Sequence, residues 1–223
     1  MKIHNFDKIP FYGNTPDNTH CNQAVMKMLL GYYFPNEVYG WKELETITGK
    51  KEGLWTWPTQ GWVYLKSRGL DVTYYGTFDY DRFVDIGSKY LIEKYGKKVG
   101  EEQIIHSDID YEIEVAKKLL VSFNQTKRIP TLDDVSKFIA QDCLLLCNVN
   151  YYPLYGKSGY AGHFVLIYGI DDKYIYIHDP GLPPHPQAEI PIENFIDAWE
   201  YSGKENKGLT VVSKSATPAK SWK

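Results

Sequence analysis

Hydrophobic and polar positions divide the chain into a helical first part and a strand-rich second part. Apolar residues recur at helical spacing at positions 24, 25, 28, 29 and 32, again over 41–48, and through 79–125, which predicts two or three helices in that last segment. Later, β-branched, aromatic and Leu-rich runs between Gly, Pro and Asp clusters predict strands at 142–150, 163–170 and 174–178. Helices followed by strands in this order are typical of an α+β fold.

Local signals add detail to both parts. Asn18 and Thr19 are predicted N-caps of the helix that starts near Cys21, because their side-chain oxygens can accept free N–H groups of a first turn. Thr131 and Asp134 resemble a capping box that opens a further helix. Alternating residues predict a strand over 70–75, and helical spacing predicts a late helix over 191–199.

No internal repeat and no clear linker interrupts the chain. We therefore expect a single domain over residues 1–212, with a helical part at about 15–140 and a sheet part at about 142–212. The polar segment 213–223 is expected to be a flexible tail.

Composition and charge exclude several classes of protein. The 223 residues are 43% hydrophobic, which excludes disorder throughout, and a net charge of −3 removes the electrostatic reason to expect a nucleic-acid partner. The longest apolar runs are too short to predict a membrane span. Because no apolar stretch of signal-peptide length begins the sequence, we expect a cytoplasmic protein as given, or a secreted one if a leader was removed.

The three cysteines predict two different roles. An odd number excludes a disulfide framework as the support of the fold. Cys143 and Cys147 lie in a Leu-rich strand without the partners of a zinc site, so burial is the favoured interpretation. Cys21 lies at a predicted helix N-terminus, where partial positive charge and free N–H groups lower a thiol pKa and favour the nucleophilic thiolate.

A thiolate nucleophile needs an imidazole partner, and His163 is the best candidate. It begins a strand just after two glycines, which predicts a ring at the edge of the sheet. The turn signal at Asp171 and Asp172 predicts an antiparallel hairpin in which Asp179 lies directly across from His163. Cross-strand neighbours have Cβ atoms about 5 Å apart, which suits a carboxylate that orients an imidazole.

Each of these residues also has a purely structural interpretation. A lone Cys is by default a small buried residue, a strand His is usually a packed ring, and an Asp before Pro-Gly is an ordinary turn former. His20 is interpreted as a surface residue. His178 is interpreted as a ring on the face of the strand opposite Asp179. Trp55, Trp57 and Trp62 are either core residues or the wall of a cleft for a peptide or a sugar. Cys21, His163 and Asp179 together match one mechanism, which favours catalysis.

Three segments resemble a known family: 9–12 with 21–33, 162–172, and 174–181. Ile-Pro-Phe-Tyr before Cys-Asn-Gln-Ala-Val-Met, Gly-His-Phe-Val-Leu-Ile-Tyr-Gly-Ile-Asp-Asp, and Tyr-Ile-Tyr-Ile-His-Asp-Pro-Gly are similar to the papain-like cysteine peptidases related to bacteriocin-processing, double-glycine peptidases. The resemblance implies a papain-like fold, with an N-terminal helical lobe whose nucleophile helix packs on an antiparallel sheet. It also implies that Cys21 is the nucleophile, His163 the general base and acid, and Asp179 the orienting carboxylate.

The sequence departs from that family pattern at two positions. Relatives usually have Gly after the nucleophile, where this chain has Asn22, and a Gln about six residues before it, where this chain has Thr15. That Gln donates to the oxyanion of the tetrahedral intermediate. Asn14 or Asn18 can substitute for it, together with the backbone N–H of Cys21, and we predict Asn14.

These observations predict a thiol hydrolase that acts on amide or peptide bonds through a thioester, and most directly a cysteine peptidase. A deamidase or an acyl or peptidyl transferase with the same triad, and a catalytically inactive peptide-binding member, remain alternatives. The mechanism needs no metal and no organic cofactor. The expected partner is a peptide or protein substrate, and the sequence does not predict its identity or the oligomeric state.

Overall fold

A computed structural model describes residues 2–3 and 8–215 of the chain. The helices are α1 (Cys21–Tyr33), α2 (Trp41–Thr48), α3 (Thr59–Ser67), α4 (Tyr80–Ile86), α5 (Ser88–Ile105), α6 (Ile109–Ser122), α7 (Leu132–Ile139), α8 (Tyr151–Leu154) and α9 (Ile192–Trp199). The strands are β1 (Lys2–Ile3), β2 (Leu70–Tyr75), β3 (Asn124–Thr126), β4 (Leu144–Asn150), β5 (Gly162–Ile170), β6 (Tyr174–Asp179), β7 (His185–Pro191) and β8 (Leu209–Lys214). A short 3-10 helix spans Lys204–Asn206.

The strands form one sheet in the order β3-β2-β8-β4-β5-β6-β7, with β1 added beside β5. The β2–β3 pair is parallel, and the other pairs are antiparallel. The two central strands, β4 and β5, are buried along nearly their whole length, which explains their continuous apolar sequence.

Alternate residues of the central strands enter two different hydrophobic cores. Leu146 and Leu166 pack in the core that includes residues of α1 to α6, whereas Leu145 and Ile167 pack in the core that includes residues of α7 and α9. The sheet therefore lies between two helical layers, and α1 contacts β5 directly. This contact brings the start of α1 close to the start of β5.

The α+β class predicted from the sequence is confirmed. The segment 79–125 contains the three helices α4, α5 and α6, and the capping box of Thr131 and Asp134 opens α7 as predicted. Four strands, β1, β3, β7 and β8, were not predicted. β8 includes the first two residues of the expected tail, and residues 216–223 lie outside the described residues.

Two local predictions are wrong. The residue that caps α1 is His20 rather than Asn18 or Thr19, because the chain turns at Asn18, whose φ of 56° is left-handed, and reaches helical geometry only at Cys21. The predicted strand from position 142 begins at Leu144, since Asp142 has a φ of 58° and belongs to a turn.

The register of the β5–β6 hairpin also differs from the prediction. Leu166 pairs with His178 and Ile170 pairs with Ile175, with an irregularity between Ile167 and Gly169. Asp179 directly follows His178 and lies diagonal to His163 rather than directly across from it. Because the offset is two residues, Asp179 keeps the sheet face that the predicted pairing would give it.

Candidate active site

Cys21 is the first residue of α1, and the loop before it is held by side-chain hydrogen bonds. The Asn14 Oδ1 atom accepts from the backbone N–H of His20 at 2.7 Å and from that of Thr15 at 2.9 Å. The His20 ring is buried and its Nε2 atom lies 2.7 Å from Glu45 Oε1. His20 is therefore not the surface residue that the sequence suggested, and it anchors the helix start to α2.

His163 is the second residue of β5, and its side chain is buried beside the start of α1. Its Nε2 atom donates to Asp179 Oδ1 at 2.5 Å. The edge of the Tyr151 ring packs against the imidazole at a centroid distance of 5.5 Å. The other ring nitrogen, Nδ1, is left for the Cys21 thiol, with which the ring is hydrogen bonded.

Asp179 ends β6 and is completely buried. Besides His163, its carboxylate accepts from the backbone N–H of Gly181 at 2.7 Å and from the Tyr155 hydroxyl. Burial raises the pKa of this carboxyl, but the hydrogen bonds and the charge of His163 outweigh burial, so the pKa is lowered overall. Asp179 is therefore ionised and fixed in orientation at neutral pH.

The electrostatics of Cys21 favour the thiolate. Desolvation raises the thiol pKa, but a hydrogen bond from His163, its positive charge, and the backbone N–H groups of Phe164 and Asn22 lower the pKa by more. The net result is a Cys21 pKa below the ordinary value of 9.0. The start of a helix adds partial positive charge in the same place.

The His163 imidazole is held in its protonated form. Desolvation lowers the pKa of the ring, whereas the hydrogen bond to Asp179 and the interaction with Cys21 raise it, and the outcome is a pKa of about 10 instead of 6.5. In such a pair the thiolate can attack a carbonyl carbon, and the imidazolium can then protonate the leaving group. The structure thus brings Cys21, His163 and Asp179 together.

Asn14, the predicted oxyanion donor, is placed differently. Its Oδ1 atom caps the His20 N–H, its Nδ2 atom donates to Asn18 Oδ1 at 2.9 Å, and it does not line the cavity beside Cys21. Asn18 does line that cavity. Because Asn18 Oδ1 faces Asn14, its Nδ2 atom is turned away from Asn14.

A cavity of about 690 Å³, called here the Cys21 cavity, opens beside the thiol. Cys21 and Gly162, the neighbour of His163, lie on its wall, as do Trp55, Trp57 and Trp62. The three tryptophans therefore line a cleft, which is one of the two interpretations given for them above. Trp62 is also part of the hydrophobic core.

Two tyrosines near the triad were not predicted from the sequence. Tyr155 binds Asp179 and Tyr151 packs on His163, and both belong to the short helix α8 and the turn after it. Nothing in their spacing marks them, because the contact depends on how α8 folds back over the end of β6. An aromatic cluster just before the His163 strand was the one available signal.

The remaining candidates have structural surroundings. Cys143 and Cys147 are buried in or next to β4. His178 is buried, accepts from the N–H of Gln187 at 3.2 Å, and has a pKa lowered to about 4 by desolvation. Within residues 8–215, no group of three or more His, Cys, Asp or Glu side chains could hold a metal ion.

Comparisons with known proteins point to one family. A sequence model described as the Peptidase_C39 like family matches residues 6–207. This match supports a cysteine peptidase-type function and agrees with the papain-like architecture expected from the sequence. A comparison with curated proteins found no match. In the described part of the chain, no helix is long and apolar enough to cross a membrane.

Two solved structures are distantly similar. One is a double glycine motif protease from an AMS/PCAT transporter in complex with the leader peptide, with 13% identity, 92% of this chain and 91% of that chain covered, and a TM-score of 0.48. The other is the peptidase domain of Streptococcus ComA, a bi-functional ABC transporter involved in a quorum sensing pathway. Its identity is 11%, with 93% of this chain and 99% of that chain covered and a TM-score of 0.49.

Proposed function

The chain belongs to the Peptidase_C39 like family, and from this premise we propose that it is an active cysteine peptidase that uses Cys21, His163 and Asp179. The observation that carries the proposal is the buried His163 ring, which is bonded to the buried Asp179 carboxylate and lowers the pKa of the Cys21 thiol. Burial alone would raise a thiol pKa, so a lowered value at Cys21 requires this specific partner.

The proposed reaction begins with attack by the Cys21 thiolate on the carbonyl carbon of a peptide bond. A C–S bond forms, and the carbonyl electron pair moves onto oxygen. The His163 imidazolium then gives its proton to the amide nitrogen, the C–N bond breaks, and a thioester remains. Water attacks the thioester while His163 takes its proton, which releases a carboxylic acid and restores the thiolate.

Asp179 is proposed to hold the ring in the orientation that this proton transfer needs. Its bond to Nε2 leaves Nδ1 directed at the thiol, and its negative charge stabilises the imidazolium. Tyr155 and the N–H of Gly181 hold the carboxylate in turn. We assign Tyr155 as a positioning residue, since it acts through Asp179.

The oxyanion requires two donors. The backbone N–H of Cys21 belongs to the first turn of α1, whose N–H groups lack intrahelical acceptors. For the second donor we propose the Asn18 side chain, which lines the Cys21 cavity, instead of Asn14. Asn14 would then orient Asn18 through their hydrogen bond.

Mass spectrometry of a defined peptide mixture tests the proposal. A tryptic digest of an unrelated protein is incubated with the wild-type chain and with Cys21→Ala, and new peptide termini are counted. We expect new termini with the wild type and none with the variant. Equal cleavage by both proteins would assign the activity to a contaminant, and the absence of cleavage over a broad set of digests would favour an inactive member of the family.

A further inference from the structure

The Cys21 cavity is large enough to hold part of a substrate next to the thiol. Its volume of about 690 Å³ lies within the range of about 300–1,000 Å³ that is common for small-molecule sites. Because Cys21 and Gly162 lie on its wall, a group bound in the cavity is continuous with the bond that the thiol attacks. The chemistry of the wall therefore indicates what the substrate carries beside the scissile bond.

The wall is aromatic and nearly uncharged. Eleven of the described residues that line it are Phe, Trp or Tyr, none is Asp or Glu, and Lys50 is the one Lys or Arg among them. A charged group would lose its hydration in this cavity. A cationic group would find no acidic partner there, and an anionic group would find a basic partner only at Lys50. Large uncharged side chains, by contrast, would gain aromatic contacts.

The wall also contains buried polar atoms without partners. Among the described residues, the buried side-chain atoms that lack a hydrogen-bond partner are Asn22 Oδ1, Gln23 Oε1, Trp62 Nε1 and Asn206 Oδ1. All four residues line the Cys21 cavity. Buried polar atoms without partners are rare in folded proteins, and their concentration at one cavity indicates a wall that is suited to binding polar groups.

The orientation of the three amides shows which hydrogen bonds the ligand would supply. The amide nitrogens donate to protein acceptors: Asn22 to the carbonyl of Trp57 at 3.4 Å, Gln23 to Thr48 Oγ1 at 2.7 Å, and Asn206 to the carbonyl of Ser202 at 2.7 Å. Their oxygens are left as acceptors. A ligand that presents several N–H donors, as a peptide backbone does, complements three acceptors and the one donor of Trp62.

We propose that the Cys21 cavity binds a short, uncharged, aromatic-rich peptide segment of the substrate, next to the bond that is cleaved. The inference rests on the proposed function, because that function places the substrate at Cys21. It goes further by naming the kind of side chain that the enzyme selects. A glycine-only segment would leave the aromatic wall uncovered and bind weakly.

Calorimetric titration of the Cys21→Ala variant tests binding without any need for catalysis. The ligands are acetyl-Phe-Tyr-Phe-amide, acetyl-Gly-Gly-Gly-amide, acetyl-Asp-Tyr-Asp-amide and chitotriose. We expect the aromatic peptide to bind at least about tenfold more tightly than the other three, a difference of about 1.4 kcal/mol. Equal binding of the glycine peptide, or tighter binding of chitotriose, would overturn the inference; the second result would assign the cavity to a sugar.

Two substitutions to Trp, one on the cavity wall and one away from it, test where the peptide binds. Ser202 lines the cavity, whereas Val38 is 92% exposed and does not line it. In the Cys21→Ala background, Ser202→Trp should weaken binding of the aromatic peptide at least about tenfold, and Val38→Trp should leave it unchanged. Thermal unfolding checks that each variant is folded, and Val99→Trp, on another part of the wall, replaces Ser202→Trp if needed.

Failure of this inference is distinguishable from failure of the proposed function. Unchanged binding in a folded cavity-filling variant would place the peptide elsewhere on the protein, while cleavage of peptides by the wild type could still be observed. Conversely, the wild-type protein could bind the aromatic peptide in the cavity and cleave no peptide. That result would support the proposed binding site and contradict the proposed peptidase activity.

Discussion

The start of α1 and the strand β4 each contain a cysteine that is at least partly buried, and the pKa of the thiol shifts in opposite directions in the two regions. At the start of α1, the pKa of Cys21 is lowered. In β4, burial raises the pKa of Cys147 well above 9.0, and Lys207 and Trp199 offset only part of that rise. Cys143, just before the strand, also has a raised pKa because of burial.

Position in the fold therefore decides the role of a thiol more than burial does. Desolvation opposes the charged form in both regions. Only Cys21 has an imidazole partner that is itself charged by a buried carboxylate. Substitutions and changes of pH can test each part of this contrast between Cys21 and the two buried cysteines.

Removing the Cys21 thiol should have the largest effect. In Cys21→Ala, peptide cleavage should fall at least about a thousandfold, because the nucleophile is absent and binding alone remains. The unfolding temperature should change little, since Cys21 is only half-buried. Loss of the folded state would instead indicate that this thiol is a structural residue.

Replacing His163 should make Cys21 resemble the β4 cysteines. His163→Gln keeps an amide near Asp179 and removes the positive charge, so the thiol pKa should rise. Alkylation of Cys21 by iodoacetamide at pH 7 should then slow by at least about tenfold, the factor that one pKa unit gives. His106→Gln, at a half-exposed ring outside the triad, is the matched control and should leave the alkylation rate unchanged.

The pH dependence of activity follows from the two shifted groups. The thiolate forms as pH rises through the lowered pKa of Cys21, and the imidazolium is lost as pH rises through about 10. We expect kcat/KM to rise on the acid side below pH 9 and to fall above pH 10, by about tenfold per unit. A profile that declines above pH 6.5, the ordinary His value, would mean that Asp179 does not hold the proton on His163.

Removing the Tyr155 hydroxyl should have a smaller effect. Tyr155→Phe leaves one acceptor of the buried Asp179 without its donor, which costs on the order of 1 kcal/mol, or about fivefold in kcat/KM. The descending limb of the pH profile should also shift, which a purely structural role would not produce. Tyr152→Phe, in the short helix α8 just before Tyr155, is the control and should leave the descending limb of the pH profile in place.

Changing a β4 cysteine should have the smallest effect on reactivity. Cys147→Ala removes a buried sulfur and should lower the free energy of unfolding by about 1 kcal/mol. The alkylation rate of Cys21 should not change, because Cys147 packs in the core on the other face of the sheet. A slower rate at Cys21 would show that the two regions are coupled.

The parts of the fold that sequence could predict are those with local causes. Helical spacing after Cys21 and the apolar run after His163 follow from which faces are buried, so α1 and β5 were predicted closely. The contact of His163 with Asp179 was also predicted, although the register was wrong. The two-residue offset kept Asp179 on the same face, so the side chains still meet.

The parts that the sequence could not predict depend on loops and on distant segments. The N-cap of α1 and the placement of Asn14 follow from a left-handed turn at Asn18, which the sequence pattern does not show. Tyr155 reaches Asp179 through tertiary folding, and no spacing marks that contact. The Cys21 cavity joins residues from both ends of the chain, so its volume could not be predicted from any single segment.

The most direct test of the contrast is the pH dependence of alkylation at Cys21 and Cys143 in the same wild-type sample. Iodoacetamide labelling at a series of pH values, followed by peptide mass spectrometry, gives a titration midpoint for each thiol. We expect a midpoint below 9.0 at Cys21 and above 9.0 at Cys143. A Cys21 midpoint at or above 9.0 would contradict the proposal that His163 activates this thiol.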